Sequence, residues 1–518
     1  MRQFVLIRSN EYHDSLEMLL ATTILEEKNG IGKCNIGMGT EYSFQLFKQL
    51  GFKDSSIWSA GPADVIIAAE AENEEIFHQA VNETFQQLSG RSTAEQEYGT
   101  YFTTEEALRA HREAQVAVIS IPGEYAGQEA MKALQAGLHV ILFSSHISSE
   151  EEKRLKDYAS THGLICMGPD CGVVNLNGIA FLLGSITRKG PFGICGASGV
   201  GIQHVGSLIH QAGSGCSQLI GTGGGDLKPP IDALSMLTGI DALEKDSETR
   251  YIILVSRKPP AAALDKLLAR IRICKKPVVA CFMGADPAQV EAAGAIFAPD
   301  LDTAAVEALK LIGKVCPLQS EAELEEMAHA AIKGMAKEQK YLRGLFTGGT
   351  YCEEAMNTIS RRIGIVYSNA PIQEEWRLAD SLISVENTCI DVGEDEFTEG
   401  KPHPTMEPSG RRSFILREGE DPETCVLLLD FIFAVSAHPD PVGVVLNDLK
   451  KIMEDARLRG GKLAVVASIC GTDADFQNLE EQRRKLIDAG VYVCHTNRQA
   501  ADLASRIVAL KMEENRND

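Results

Sequence analysis

Short runs of aliphatic and β-branched residues recur along the chain, each followed by a longer stretch whose apolar positions fall three and four apart. That alternation predicts strand–helix–strand units. In the first ninety residues, 4–7, 33–38 and 63–69 read as strands. Residues 12–27, with Leu16, Leu19, Leu20 and Ile24 at helical spacing, read as a helix, as do 43–50 and 73–88. The prediction is a βαβαβα module over 1–90. The polar, Gly-bearing stretch 89–103 reads as a linker.

A second module is expected over 104–186, with helices at 104–114, 125–136 and 149–161 and strands at 116–121, 139–143 and 164–167. Its run Val116-Ala-Val-Ile-Ser-Ile121 is continuously apolar enough for a parallel strand covered on both faces. A third module, 187–330, carries strands at 192–195, 217–220, 251–255 and 278–282. A charged, Ala/Glu-rich helix over 320–340 leads to a fourth, 338–518, with strands at 344–346, 426–431, 462–467 and 491–494 and a polar tail from 512. The fold class is therefore α/β, several parallel-sheet domains and a small N-terminal module.

The length of 518 residues, with 44% hydrophobic and 24% charged residues, suits several globular domains. A net charge of -22 argues against non-specific binding to nucleic acid or an anionic membrane. It leaves room for small anions held by backbone dipoles and one or two cations. The 13 cysteines form no C-x-x-C pair, which reads as scattered reduced thiols and neither a disulfide framework nor a metal site. The opening MRQFVLIRSNEYHDSL lacks the apolar core of a signal peptide, and no stretch approaches the roughly 20 apolar residues of a membrane span. The expected location is the cytoplasm.

Parallel α/β sheets take ligands beyond the carboxyl ends of their strands. Three predicted strands run into Gly-rich loops there. The first holds Gly196, Ser198 and Gly199. Its glycines and the following helix N-terminus suit a phosphate-sized anion, with Ser198 adding a hydroxyl. A tight turn needing Gly only for packing is the alternative. The second loop, Gly221-Thr-Gly-Gly-Gly225-Asp226, offers Gly224 and Asp226 to a ligand. The third, Thr347-Gly348-Gly349-Thr350, is either a ligand loop or a simple helix cap. Two cationic loops stand out in an acidic chain. Arg257 and Lys258 lie before two prolines, and Lys401 and His403 lie in Gly400-Lys-Pro-His-Pro404. His204, His210 and His438 read as ordinary residues. Cys171, in a loop with no evident base, reads as structural before nucleophilic. Walker A, H-E-x-x-H, nucleophile-elbow and dinucleotide patterns are absent.

Residues 105–310 resemble the α subunit of succinyl-CoA synthetase. The matching pieces are Ala117-Val-Ile-Ser-Ile-Pro122, Met167-Gly-Pro-Asp170-Cys171, Gly196-Ala-Ser-Gly199, Gly223-Gly-Gly-Asp226 and Lys276-Pro-Val-Val279. Residues 385–510 resemble the carboxy-terminal domain of that enzyme's β subunit through Ile390-Asp-Val-Gly393 and the strand from Cys425. Nearly the whole chain resembles the FdrA family of acyl-CoA synthetase-like proteins, through Gly168–Gly172, Gly196–Gly199, Lys258-Pro-Pro260, Gly348–Thr350 and Gly400–Pro404.

The resemblance implies Rossmann-like and flavodoxin-like domains of the succinyl-CoA synthetase type. It implies contacts to CoA or substrate at Pro122, Asp170, Asp226 and Lys401. It also implies catalytic or anion contacts from Ser198, Arg257, Lys258 and His403, and from Gly196, Gly199, Gly224, Gly348, Gly349 and Thr350. Through FdrA it implies a subunit of an oxamate carbamoyltransferase of purine catabolism, with carbamoyl phosphate, carboxylates and partner subunits. Four departures weigh on this. A Ser256–Arg257 loop stands near the position of the glutamate that steadies the synthetase's phosphohistidine, and the β domain's Gly-Gly phosphate loop falls near Ala434-Val-Ser-Ala-His438, without glycine. Ala292 stands where the synthetase carries its phosphorylated histidine, and the ATP-grasp domain is absent. A covalent phosphoryl relay therefore lacks its carrier, which favours direct use of an activated acyl phosphate. The alternatives are a CoA-binding component of an NDP-forming acyl-CoA synthetase, and a non-catalytic assembly scaffold.

Overall fold

The computed structural model describes residues 1–11, 13, 15–89, 101–398 and 401–517. Most of the expected linker at 89–103, and Gly400 of the Lys401–His403 loop, lie outside the described residues. The chain divides into two compact units, 1–151 with 395–402, and 152–394 with 403–518.

The first unit opens with β1 (Arg2–Arg8), α1 (Ser15–Glu26), β2 (Ile31–Met38), α2 (Glu41–Gln49), β3 (Val65–Ala71) and α3 (Glu74–Ser89). β1, β2 and β3 form one sheet in the order β1-β3-β2, with β3 antiparallel to both neighbours. Alternation along β3 assigns its two faces. Ile67, Ala69 and Ala71 pack with Met18, Leu25, Phe77 and Val81 beneath α1 and α3. Ile66 and Ala68 pack with Phe47, Phe52 and Ile57 on the other face. Next come α4 (Thr104–Ala110), β4 (Val116–Ile119), α5 (Gly123–Gln135) and β5 (His139–Leu142). β4 and β5 pair in parallel, but β4 is not covered on both faces as its apolar run predicts: of its four residues only Ile119 is buried, and Val118 is 46% exposed.

The second unit begins within α6 (Ser149–Thr161), which leads to the two-residue strand β6 (Cys166–Met167). Its larger sheet is built from β7 (Val173–Leu176), β8 (Ile179–Leu182), β9 (Lys189–Gly196), β10 (Cys216–Gly221), β11 (Tyr251–Arg257), β12 (Val278–Met283) and β13 (Ile296–Phe297), in the order β13-β12-β11-β9-β10-β7-β8. The strands from β9 to β13 are parallel, and the β7–β8 hairpin closes the edge antiparallel to β10. Its helices are α7 (Gly199–Gln211), α8 (Leu234–Lys245), α9 (Ala261–Arg272), α10 (Pro287–Ala292) and α11 (Leu301–Lys310).

Then come α12 (Glu321–Ile332), β14 (Tyr341–Phe346), α13 (Gly349–Ile363), β15 (Thr388–Asp391), α14 (Arg412–Glu420), β16 (Thr424–Ile432), α15 (Pro441–Leu458), β17 (Ala464–Cys470), α16 (Leu479–Asp488), β18 (Tyr492–Cys494) and α17 (Asn497–Asn517). The five strands form a parallel sheet, β15-β14-β16-β17-β18. All nine residues of β16 are buried, the mark of a central parallel strand.

One hydrophobic core runs through both sheets of this unit, from Val173 and Ile194 to Leu428 and Val508. The boundary expected between 330 and 338 therefore falls inside a shared core. The helix expected over 320–340 stops at Ile332, and Gly334 follows at φ 88, a conformation glycine adopts without Cβ strain.

Candidate functional site

Two parallel strands of the second unit, one from each sheet, deliver Gly-rich loops to the same point. β9 ends at Gly196 and leads into α7, while β14 ends at Phe346 and leads into α13. The loops are joined by a hydrogen bond between the Ser198 and Thr350 hydroxyls, 2.9 Å long. Ser198 also caps α7, its Oγ accepting from the Gly201 N–H at 3.0 Å. Gly348 caps α13 without a side chain, and a methyl group there would lie 3.6 Å from Val200 Cγ2. The helical ladders begin with Ile202 N–H to Ser198 O (3.0 Å) and Cys352 N–H to Gly348 O (3.2 Å). The N–H groups of Gly199, Val200, Gly349, Thr350 and Tyr351 thus precede both ladders. Two positive helix ends meet there.

The glycines differ in purpose. A Cβ on Gly196 would stand 2.0 Å from the Val255 carbonyl oxygen, so close strand packing requires that glycine. At Gly349 the space is instead shared by two polar side chains. A Cβ would lie 2.4 Å from Arg257 Nη2 and 3.0 Å from Asp391 Oδ2. Arg257, half exposed at the end of β11, is held by Glu353 of α13 (Nε–Oε2 2.8 Å). Lys258 is exposed beside Gly284 and has no hydrogen bond or ion pair among the described residues. Of the two expected cations, the structure brings Arg257 to the α13 N-terminus and leaves Lys258 outside.

Asp391 closes β15, beside β14, and is 2% exposed. Its Oδ1 accepts from the Gly393 N–H at 2.9 Å. Burial pushes its carboxyl up to about 7; Glu394 and Asp430 add to the effect, while the Gly393 N–H and Arg257 oppose it. Asp430, fully buried at the end of β16, anchors the 347–350 loop. It accepts from Thr347 N–H at 3.0 Å and from Thr347 Oγ1 at 2.7 Å. The buried Arg411 guanidinium donates to the Asp430 and Leu345 carbonyl oxygens, each at 2.6 Å. His403 is half-buried, and desolvation holds its ring down at about 4, so it is neutral at pH 7. Its Nδ1 accepts from the Thr405 N–H at 3.3 Å, which places the ring proton on Nε2. That nitrogen lies 2.9 Å from the Cβ position of Gly393, itself 3.2 Å from Asp391 Oδ1. His403 and Asp391 therefore share one corner.

Beneath the first turn of α13, the buried Tyr351 hydroxyl meets His204 Nδ1 at 2.6 Å, and His204 Nε2 meets Asp302 Oδ1 at 2.9 Å. Asp302 Oδ2 accepts from Thr496 Oγ1 and Arg498 Nε, both at 2.9 Å. Burial works against a charged His204, but Asp302 outweighs it and holds the ring above its usual range.

Other expected site residues lie elsewhere. Asp226 requires correction: it is wholly buried, and Lys156 Nζ, Ser235 N–H and Met236 N–H donate to its carboxylate at 3.0, 2.9 and 3.0 Å. With three donors and no exposure it is a structural anchor, not a substrate contact. Gly223, at φ 81, would place a Cβ 2.0 Å from the Pro169 carbonyl oxygen, while Gly224 is exposed with open space around it. Asp170 is exposed in the adjoining turn. The Cys171 thiol is buried, donates to the Gly221 carbonyl at 3.3 Å and is pushed up to about 12, which leaves it unreactive at neutral pH. In the first unit, Pro122 precedes α5 without a side-chain cap, and a Cβ on Gly123 would meet the Ser145 carbonyl at 2.1 Å. Lys401 is exposed and belongs to the first unit, whereas His403 belongs to the second.

Asp391, Glu353 and Tyr351 escaped the sequence reading. The signal for Asp391 was a carboxylate closing the apolar run Cys389-Ile390 just before Val392-Gly393.

Residues 345–507 match the family model of the CoA-ligase domain. Residues 1–105 match that of the AllF heavy metal-associated domain. The donor set does not fit a soft metal in that segment. Cys34 is its sole cysteine, buried and pushed up to about 12, and no group of three or more His, Cys, Asp or Glu residues that could hold a metal occurs among the described residues. No helix among the described residues is long and apolar enough to cross a membrane. The Escherichia coli (strain K12) protein YahF is 37% identical over 509 residues, 97% of this chain and 98% of YahF. The α subunit of the ADP-forming succinate–CoA ligase of Staphylococcus aureus (strain Mu50 / ATCC 700699) is 26% identical over 257 residues, 48% of this chain and 82% of that subunit. Among solved structures, the ATP citrate lyase of Methanothrix soehngenii in complex with citrate and coenzyme A is 13% identical, covering 80% of this chain and 85% of that one at a TM-score of 0.36. The chain is a member of the YahF family, and its residues 345–507 match the CoA-ligase domain.

Proposed function

We propose that the second unit is the group-transfer component of a CoA-ligase-type enzyme, and that the meeting point of α7 and α13 takes up the phosphate group of an acyl phosphate. The observation that carries this reading is the Ser198–Thr350 hydrogen bond, which holds two helix N-termini together with Arg257 above one of them. Prepositioned N–H donors and a guanidinium stabilise negative charge where an acyl-phosphate bond breaks, with no reorganisation at the moment of reaction. The CoA-ligase family match and the likeness to a succinate–CoA ligase α subunit support an acyl-CoA synthetase component. CoA, when bound, would supply the thiol acceptor.

A second reading, a carbamoyl phosphate-using transferase subunit as the FdrA resemblance implies, is favoured by Ala292 at the end of α10. A methyl group cannot carry phosphate between nucleotide and acyl group. An acceptor such as oxamate would then replace the thiol, and partner subunits would supply what this chain lacks.

Calorimetric titration with inorganic phosphate, carbamoyl phosphate and CoA separates these readings. Phosphate binding lost in a Ser198→Ala/Arg257→Ala variant supports the anion site. Carbamoyl phosphate binding well above that of phosphate favours the second reading, and CoA binding favours the first. Silence from all three, in a folded protein, refutes both and leaves an assembly scaffold.

A further inference from the structure

Asp391 is out of place in a site made of donors. Its Oδ1 is satisfied by the Gly393 N–H, but Oδ2 has no hydrogen-bond partner among the described residues although the residue is 2% exposed. That oxygen is aimed at the first turn of α13, 3.0 Å from the Cβ position of Gly349, where Arg257 Nη2 also points. A carboxylate there would repel the anion that the helix ends and Arg257 attract. A carboxylic acid would donate to it.

We propose that Asp391 is the proton-transferring residue of this site, donating Oδ2–H to an oxygen of the bound phosphate group, so that anion binding is coupled to protonation of Asp391. The inference rests on the anion-site reading above and deepens it. In transfer from an acyl phosphate, the acceptor attacks the acyl carbon and the bond from that carbon to the bridging oxygen breaks. Asp391 gives its proton to the departing phosphate and takes up the proton shed by the acceptor's N–H or S–H. One proton passes from acceptor to phosphate, and Asp391 ends as it began.

The groups around Asp391 agree. Arg257 from β11 favours its ionised form, while Asp430 from β16 and Glu394 just after β15 favour the neutral one. His403, whose Nε2 shares the Gly393 corner, is held neutral by desolvation, and Glu353 is engaged with Arg257. With its carboxyl raised to about 7, Asp391 titrates where a transferase would use it.

Sulfate is the probe, because it does not itself titrate near neutrality. Calorimetry of the full chain in buffers of different ionisation enthalpy gives the protons taken up per sulfate bound. The expected result is close to one proton at pH 8 and almost none at pH 6, with affinity falling about tenfold between those values. Asp391→Asn should bind sulfate without proton uptake and with little pH dependence, while His403→Gln should retain the coupling. Uptake that is absent in the wild type, or that survives in Asp391→Asn, overturns the inference and leaves the anion site standing. No sulfate binding at pH 6 overturns the anion site itself. Infrared difference spectra of the wild type settle the point should Asp391→Asn not fold. A protonated-carboxyl band gained on adding sulfate at pH 8 supports the inference, and its absence overturns it.

Discussion

Replacing Asp226 with alanine separates a structural carboxylate from a ligand contact, because the two roles predict opposite results. The side chain is wholly buried and takes three donors. Two of them, the Ser235 and Met236 N–H groups, lie at the start of α8. The third, Lys156, is itself buried; desolvation works against its charge, but Asp226 and Glu152 outweigh it. In Asp226→Ala, Lys156 keeps Glu152 at 2.7 Å and the Thr222 carbonyl at 3.0 Å, so its charge is not fully stranded. That holds the loss of the ion pair near the lower end of the roughly 3–5 kcal/mol seen when one partner of a buried pair is removed. Two buried N–H groups losing their acceptor add about 1 kcal/mol or more each, not fully additively. The expected destabilisation is about 4 kcal/mol. The chain has two tryptophans, Trp58 in the first unit and Trp376 in the second, so fluorescence in a Trp58→Phe background follows unfolding of the second unit alone. With a urea slope of about 3 kcal/mol per molar, the midpoint should fall by about 1.3 M. A midpoint unchanged within about 0.2 M, with CoA or phosphate affinity lost, would refute the structural role and return Asp226 to the ligand.

Three further outcomes are expected. Gly349→Ala fills the space between Arg257 and Asp391 at the start of a helix, where alanine is the better former by up to about 1 kcal/mol; thermal unfolding should hold or rise while phosphate affinity drops at least about tenfold. Gly196→Ala drives a methyl group to 2.0 Å from a strand carbonyl and should cost about 3 kcal/mol in the same urea assay, with no exposed site changed. His204 and Asp302 set a pH signature. His204 is raised, so its contribution is full below its unfolded value of about 6.5 and fades as pH rises through the folded value. Asp302 is lowered, so its contribution is present above about 3.9 and fades as pH falls through the folded value. His204→Gln should flatten the alkaline side of a stability-against-pH curve, and a mutant curve parallel to the wild type above neutrality would contradict the pairing.

The strands that organise the site were legible because they are parallel and buried on both faces, so runs such as Tyr251–Val255 and Val426–Phe431 are almost wholly apolar. β15 was not, because four residues, Thr-Cys-Ile-Asp, carry too little pattern to separate from a loop. The β7–β8 hairpin had a signal that went unused, since Asn177 and Gly178 both take positive φ and Asn-Gly between short apolar runs marks such a turn. Loops 196–199 and 348–350 were legible as anion candidates one by one, but not that Ser198 and Thr350 touch across 152 residues. The Gly-rich run before Asp226 misled for a related reason. Gly223 is required by an approaching carbonyl, and a sequence does not tell a backbone neighbour from a ligand. Asp391 was not legible as a titrating group because its raised carboxyl comes from burial, with Glu394 and Asp430 adding to it, and burial is set by tertiary packing.

The most direct test of the anion site is anomalous diffraction from crystals of the full chain soaked in tungstate, a tetrahedral oxyanion that reports its own position. The account predicts a peak within hydrogen-bonding reach of the Gly199 and Gly349 N–H groups and of Arg257, absent in Gly349→Ala. A peak confined to the exposed Gly224 loop, or none in the second unit, would contradict it.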